Sequence, residues 1–298
     1  MTSPTIVTLS SIPPRFGLIA PTLRSLLAQK VPVQAIHLYI PRTYRRFPDW
    51  DGSLPEVPEG ISIRRCDEDL GPATKVLPAT RDYEGQDVDI LFCDDDKIYD
   101  PGWHGRLKRA RAAHPQCCIV EAGETLPDIA DVMRPKDRLP RAKRFHRKTI
   151  LYRIKRLASL FRMKAPAFST SGYVDLLGGH GGVMVRPDWF GQEAWKIPDV
   201  LWTVDDPWLS GHLERRGIPI WLEAKARRTE ATSAQSVDAL YDLVEMDHDR
   251  VRADIAAIDY MRSTYGIWTP GGAVRSMSGC RNETLLALAR RASGNADS

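Results

Sequence analysis

Short apolar runs separated by turn-forming clusters dominate the first 120 residues. Thr5–Leu9 (TIVTL) is β-branched and strand-like, and the prolines of Ser10-Ser11-Ile12-Pro13-Pro14 end it because proline has no N–H for a ladder. Ile19, Leu23, Leu26 and Leu27 then recur at helical spacing up to Gln29, with Pro21 in the first turn or at a bend. Ala35–Ile40 (AIHLYI) reads as a second strand, followed by a loop over 41–60 rich in Pro and Gly. Ile61 and Ile63 alternate in a third strand, and Gly71-Pro72 opens a short helix through Leu77. Val88–Phe92 (VDILF) is densely apolar, the pattern of a strand covered on both faces. A helix around His104–Ala113 and a strand at Cys117–Val120 complete a β-α-β-α series. That order predicts an α/β domain with a mostly parallel central sheet flanked by helices.

The alternation breaks at 125–165 and resumes where Gly178-Gly179-His180-Gly181-Gly182 runs into the strand Val183–Val185. Asp206-Pro207 begins a helix to about Arg216, Ile218–Leu222 is a further strand, and 237–265 carries a helical pattern. The pattern divides the chain into a first half (1–124), a basic insertion (125–165), a second half (166–270), and a C-terminal helix with a frayed tail (271–298).

Composition narrows the class. With 43% hydrophobic and 27% charged residues over 298 positions, the chain has enough apolar side chains for a large core and is not a disordered segment. No run reaches the roughly 18 apolar residues of a membrane span. The opening MTSPTIVTLSSIPPRF has no basic stretch leading into an apolar one, so no signal peptide is expected. Five cysteines without a Cys-x-x-Cys pair argue against a disulfide framework or a zinc ribbon, and for a reducing cytoplasm.

Charge is uneven. Arg134 to Lys164 holds thirteen Lys or Arg and one acid, Asp137, so the remainder of the chain is net acidic. Within 147–163 the apolar Ile150, Leu151, Ile154, Leu157, Ala158 and Phe161 share a helical stripe flanked by basic residues. Such a helix suits an anionic membrane interface, or else packs its stripe on the body. No nucleic-acid motif accompanies the charge, so nucleic acid is not an expected partner.

Candidate chemistry concentrates in VDILFCDDDKIYDPGW. Asp94, Asp95 and Asp96 follow directly on a buried strand, at the carboxyl end where open α/β sheets bind ligands. Three adjacent anions repel one another unless a cation compensates them. Hard oxygen ligands two residues apart suit Mn²⁺ or Mg²⁺ held jointly with a substrate diphosphate. A solvated acidic turn is the competing reading. His180 lies between two glycine pairs, where backbone can approach a ligand closely. Trp189, Trp195, Trp202 and Trp208 crowd one region, and flat aromatic faces suit sugar rings as well as cores.

The set TLSSIPPRF, LRSLLAQ, FCDDDKIYDPGW, GGHGGVMVRPDWF and VDDPWLSGHLERRG, spread over residues 5–222, resembles the GT-A-fold glycosyltransferases. The likeness is greatest to the family 2-like bacterial enzymes of envelope polysaccharide assembly. The resemblance implies a GT-A-like, Rossmann-like domain, with 1–124 as the nucleotide-sugar-binding half and 166–270 as the acceptor-binding and catalytic half, and a nucleotide-sugar donor with UDP as the nucleotide. It also implies a divalent metal, inversion at the anomeric carbon, and a saccharide or lipid-linked acceptor. By position, Asp96 and Asp94 match the metal-binding D-x-D, with Asp94 or Asp95 also facing the ribose or metal-bound water. Thr8, Ser10 and Arg15 belong to the loop matched to the nucleotide, and Asp67 to a base-contacting acid. Lys75 reaches the diphosphate or neutralises the aspartates.

Asp206, with Asp205 next, matches the acidic pair that supplies the base for the acceptor hydroxyl. Aspartate before proline is also a good helix N-cap, which is the competing role for Asp206. His180 and Gly181 match a loop bordering donor sugar and acceptor, and Trp202 and Trp208 flank the acid pair. The expected enzyme is a cytoplasmic hexosyltransferase, with peripheral contact to the cytoplasmic membrane face through 134–164. Two alternatives compete: a haloacid-dehalogenase-type phosphohydrolase using Asp94 and Asp96, and a non-catalytic membrane-surface scaffold.

Overall fold

Eight strands hydrogen-bond side by side into one mixed sheet. The computed structural model describes residues 3–145, 166–224, 229–238 and 250–269. In chain order the strands are β1 (Thr5–Ser10), β2 (Ala35–Pro41), β3 (Ile61–Cys66) and β4 (Asp89–Phe92). There follow β5 (Cys118–Val120), β6 (Gly172–Val174), β7 (Val183–Val185) and β8 (Ile220–Leu222). Their order across the sheet is β6-β8-β5-β7-β4-β1-β2-β3.

β1 runs parallel to β2 and β4, with Val7 opposite Ile36 and Leu91; β2 is parallel to β3, and β8 to β5. The sheet is thus mostly parallel, as the β-α alternation predicts. The exceptions are β7, antiparallel between β4 and β5, and the edge strand β6, antiparallel to β8. β6 and β7 therefore run in the same direction, opposite to the strands between and beside them.

Alternation along the strands fills two cores. Ile90 and Phe92 of β4 and Val183 and Val185 of β7 face one layer, with Trp208 and Leu209. Leu91 and Met184 face the other, with Val7, Leu9, Trp103 and Leu107. The covering helices are α1 (Ala20–Leu27), α2 (Leu77–Asp82), α3 (Trp103–Ala113), α4 (Asp205–Arg215) and α5 (Arg250–Tyr265). Pro21 falls in the first turn of α1, where its missing N–H costs nothing. A 3₁₀ turn at Gly71–Lys75 precedes α2.

Part of the basic block has a structural task. Arg134 and Arg141 are buried and both reach Asp175, which also accepts the Leu126 backbone N–H at 2.7 Å. This one carboxylate ties the 125–145 segment to the end of β6. The amphipathic stripe of 147–163, the first part of the 237–265 helical pattern at 239–249, and the 271–298 tail lie outside the described residues. Among the described residues no helix is long and apolar enough to cross a membrane.

Candidate functional site

A cleft of about 1190 Å³ opens along one end of the sheet. β1 delivers Ser10 and Ser11 to it, β4 delivers Asp94–Asp96, β5 delivers Glu121–Glu124, and β8 delivers Glu223. These four strands run parallel and meet the cleft at their carboxyl ends, where open α/β sheets place ligand sites. The volume exceeds the roughly 300–1,000 Å³ of an ordinary single-ligand pocket, which leaves room for two substrates.

The three aspartates point to three different partners. Asp94 Oδ1 accepts from Lys75 Nζ at 2.7 Å. Asp95 receives Arg15 Nη1 at 2.8 Å and the Ser11 hydroxyl at 2.5 Å. Lys97 Nζ stands 2.9 Å from Asp96 Oδ1, but outside hydrogen-bond alignment, so that buried oxygen has no hydrogen-bond donor. Burial would raise the Asp94 carboxyl, yet the Lys75 charge and hydrogen bond outweigh it and bring it down to about 2. Burial raises Asp95, against the pull of Arg15 and Ser11. The backbone is fixed independently: Thr22 Oγ1 donates to the Asp95 carbonyl at 2.7 Å, and the Asp94 N–H donates to Tyr99 Oη at 3.1 Å.

Lys75 sits at the centre of a wider set. Its Nζ also stands 2.8 Å from Asp205 Oδ2. Burial disfavours the ammonium, but Asp205, Asp94 and Asp206 outweigh that and hold it charged well above its usual range. Asp206 Oδ1 accepts the Gly179 backbone N–H at 2.9 Å. Burial first, and the Asp205 charge second, push the Asp206 carboxyl well up from the usual carboxylate range, against the opposing effect of Lys75.

A Cβ on Gly179 would lie 2.6 Å from Lys75 Nζ and 3.3 Å from both Asp206 Oδ1 and Asp94 Oδ1. A side chain here would displace the Lys75 ammonium from its place between the carboxylates. Nearby, Gly182 has φ of 89° and its absent Cβ would fall 2.3 Å from the Trp103 ring. Trp103 Nε1 donates to the Gly181 carbonyl at 2.8 Å, seating the loop.

Helix capping does not occupy Asp206. The N-cap of α4 is Val204, no side chain caps the helix, and Asp205 and Asp206 lie in its first turn. Their charges still complement the positive end of the helix.

The cleft gathers Ser10, Arg15, Lys75, Asp94, Asp95, Asp96, His180, Gly181, Trp202, Asp205 and Asp206. Three expected residues lie elsewhere. Thr8 is enclosed in β1 with its hydroxyl unpartnered. Asp67 is exposed and pairs with Arg42 at 2.7 Å. Trp208 is buried, donates to the Ala194 carbonyl at 2.8 Å and packs near Tyr260. It lies two residues past Asp206, about 200° around the helix, and so faces the core. Trp202 borders the cleft, its Nε1 donating to the Asp69 carbonyl at 2.9 Å.

Asp69 and Glu121 are among the cleft residues that escaped the sequence reading. Asp69, rather than Asp67, borders the cleft and accepts the backbone N–H groups of Arg45 and Gly71. Its signal was weak, because only the left-handed Gly71 at φ 59° turns the loop back toward the sheet. Glu121 is buried and doubly hydrogen-bonded to Arg106 at 2.7 and 3.0 Å. Burial raises its carboxyl to about 7 even so. It follows an apolar strand directly, the same signal that exposed Asp94.

Among the described residues no three His, Cys, Asp or Glu side chains form a ready-made metal cluster. The buried Asp96 Oδ1, paired with Lys97 but without a hydrogen-bond donor, and the neighbouring Asp94 carboxylate still fit a hard cation that takes its remaining oxygens from a diphosphate.

No family model matches the chain, and no curated protein matches it. Among solved structures, S. aureus TarS 1–349 superposes with a TM-score of 0.43 at 13% identity, over 98% of this chain and 81% of that one. The same protein in complex with UDP-GlcNAc gives 0.43 at 11% identity, over 89% and 73%. GalNAc-T7 with UDP, GalNAc and Mn²⁺ gives 0.43 at 10% identity, over 98% of this chain and 54% of that one. These neighbours are GT-A-type glycosyltransferases. Scores this low carry no argument about the chemistry, which rests on the cleft itself.

Proposed function

We propose that this chain is a glycosyltransferase that moves a sugar from a nucleoside diphosphate donor to a hydroxyl of a saccharide or lipid-linked acceptor, with inversion. The observation that carries the reading is the convergence of Asp94, Lys75, Asp205 and Asp206 around Gly179 in a two-substrate cleft. Donor and acceptor have to be held together for such a transfer, and positioned carboxylates have to serve both ends of it.

In the transfer, the acceptor oxygen bonds to the anomeric carbon as its proton passes to Asp206 or Asp205. The bond from that carbon to the diphosphate oxygen breaks, and its electron pair leaves with the nucleoside diphosphate. Asp96 and Asp94 would hold Mn²⁺ or Mg²⁺, which when bound offsets charge on the departing diphosphate. Ser10, Arg15 and Asp95 form the donor side of the cleft; His180, Gly181 and Trp202 border the space between donor and acceptor. UDP is the expected nucleotide, envelope polysaccharide assembly the expected setting, and the basic 134–164 stretch the expected contact with an anionic membrane surface on the cytoplasmic side.

A thermal-shift screen of UDP, GDP, CDP and dTDP, each with Mn²⁺ and with EDTA, tests the reading. A bound nucleotide stabilises the fold by about 2.7 kcal/mol at a hundredfold excess over Kd. One nucleotide should shift the melting temperature with Mn²⁺, and the shift should vanish in EDTA and in Asp96→Ala. No shift with any nucleotide rejects the donor site and returns the phosphohydrolase to first place.

A further inference from the structure

Lys75 is enclosed in a way that a phosphate-binding lysine is not. It ends the Gly71–Lys75 turn, between the buried Thr74 and Val76, and is 5% exposed. Its ammonium meets Asp94 Oδ1 at 2.7 Å and Asp205 Oδ2 at 2.8 Å. The Phe92 ring lies below at 5.8 Å, and the backbone of Gly179 passes so close that a Cβ there would lie 2.6 Å from Nζ. Carboxylates, ring and backbone surround the cation, which leaves it only a small face on the cleft.

The two acids at the start of α4 are treated differently by this arrangement. Asp205 is 3% exposed and stands against Lys75. Asp206 gives one oxygen to the Gly179 N–H and keeps part of its surface on the cleft. A carboxylate held by a buried ammonium is a poor place to deliver a proton, since protonating it leaves the ammonium short of compensation.

We propose that Lys75 is a positioning residue, an internal counter-cation that locks Asp205 to Asp94 and leaves Asp206 as the acceptor of the proton, without touching the donor phosphates. This rests on the glycosyltransferase reading and divides the labour within it. The bridge also links the strand-end aspartates to the first turn of α4, so the donor side and the base are held in one rigid frame.

The test compares wild type, Lys75→Met, Asp205→Asn and the double variant. Binding is measured with whichever of UDP, GDP, CDP or dTDP shifts the wild type in the presence of Mn²⁺, and turnover as release of that nucleotide from its sugar conjugate. Lys75→Met should lose about a hundredfold in kcat while the nucleotide Kd moves by less than about threefold. Asp205→Asn should lose only about tenfold, and the double variant should recover about tenfold over Lys75→Met, because the uncompensated carboxylate is gone.

A large rise in Kd with kcat retained in Lys75→Met would make the lysine a phosphate ligand and overturn the proposal. So would a double variant no better than Lys75→Met, or an Asp205→Asn as inactive as Asp206→Asn. If Lys75→Met does not fold, the double variant is read against Asp205→Asn. Agreement within about threefold supports the bridge, and a wider gap overturns it. A wild type that neither binds a nucleotide nor releases one rejects the glycosyltransferase reading itself, a result separable from every outcome above.

Discussion

Adjacent carboxylates of one residue type acquire unlike characters in this cleft. Asp94 is brought low by Lys75, whereas burial and the Asp205 charge drive Asp206 up. For a base, the raised value has a direct kinetic meaning. The deprotonated form accepts the proton, so turnover rises with pH as Asp206 ionises, and the midpoint lies well above the roughly 4 of an exposed aspartate. A pH profile of kcat should therefore show its acid limb near or above neutrality. Asp206→Asn should bind nucleotide as the wild type does and lose on the order of 10²–10⁴ in kcat. A limb near pH 4, or an active Asp206→Asn, would remove the residue from that role.

Asp94–Asp96, Asp205 and Asp206 were legible in the sequence because they follow an apolar strand or start a helix. Their partners were not. Asp95 and Ser11 are 84 positions apart, and nothing local announces that their side chains will lie 2.5 Å from one another. The same limit hid which of Asp67 and Asp69 turns inward.

Among the elements, the glycine-rich entry to β7 does two separate jobs that a motif alone does not distinguish. At Gly182 the need is conformational and steric, with a positive φ and the Trp103 ring against the missing Cβ. At Gly179 the need is electrostatic, because a methyl would displace Lys75 from its carboxylates. The two alanine variants should then fail differently. Gly182→Ala should lose stability, by about 1–3 kcal/mol from overpacking alone and more from backbone strain. Gly179→Ala should fold with a smaller loss but fall about a hundredfold in kcat, the effect of misplacing reacting groups by an ångström or so. Melting temperature and kcat measured side by side separate the two, and equal behaviour would contradict the division.

Element existence followed from pattern over the first 120 residues, except that the helix expected from Gly71 to Leu77 is a 3₁₀ turn at Gly71–Lys75, with α2 lying beyond it at Leu77–Asp82. β7 is different, since three apolar residues carry no sign of direction. Its antiparallel placement between β4 and β5 comes from long-range pairing, which its own composition does not encode.

Across the whole molecule, charge counted along the chain misjudges what charge does in space. The basic block looks from the sequence like one surface feature, yet two of its members, Arg134 and Arg141, are buried against Asp175. That carboxylate closes a connection from 126 to 141 and back to the β6 edge, beside the backbone hydrogen bonds that Pro140 and Ala142 make with Tyr173. Two buried guanidinium groups pair with it; Arg134 also donates to the Leu126 and Ile129 carbonyls, whereas Arg141 Nε and Nη1 have no hydrogen-bond acceptor. Removing one partner of a buried ion pair typically costs about 3–5 kcal/mol, because the other charge stays in a poorly solvated place.

Asp175→Asn keeps the size of the side chain and one acceptor oxygen while deleting the charge. It should lower the melting temperature by roughly 10 °C in a chain of this length, taking about 2–4 °C per kcal/mol. The cleft aspartates are untouched by the change, so nucleotide binding below the new transition should be preserved. Limited proteolysis should meanwhile cut first within 126–141, since losing the tie frees that segment before the sheet opens. An unchanged melting temperature would mean that Arg134 and Arg141 find water or other acceptors without cost, and that the segment is held by its apolar contacts rather than by charge.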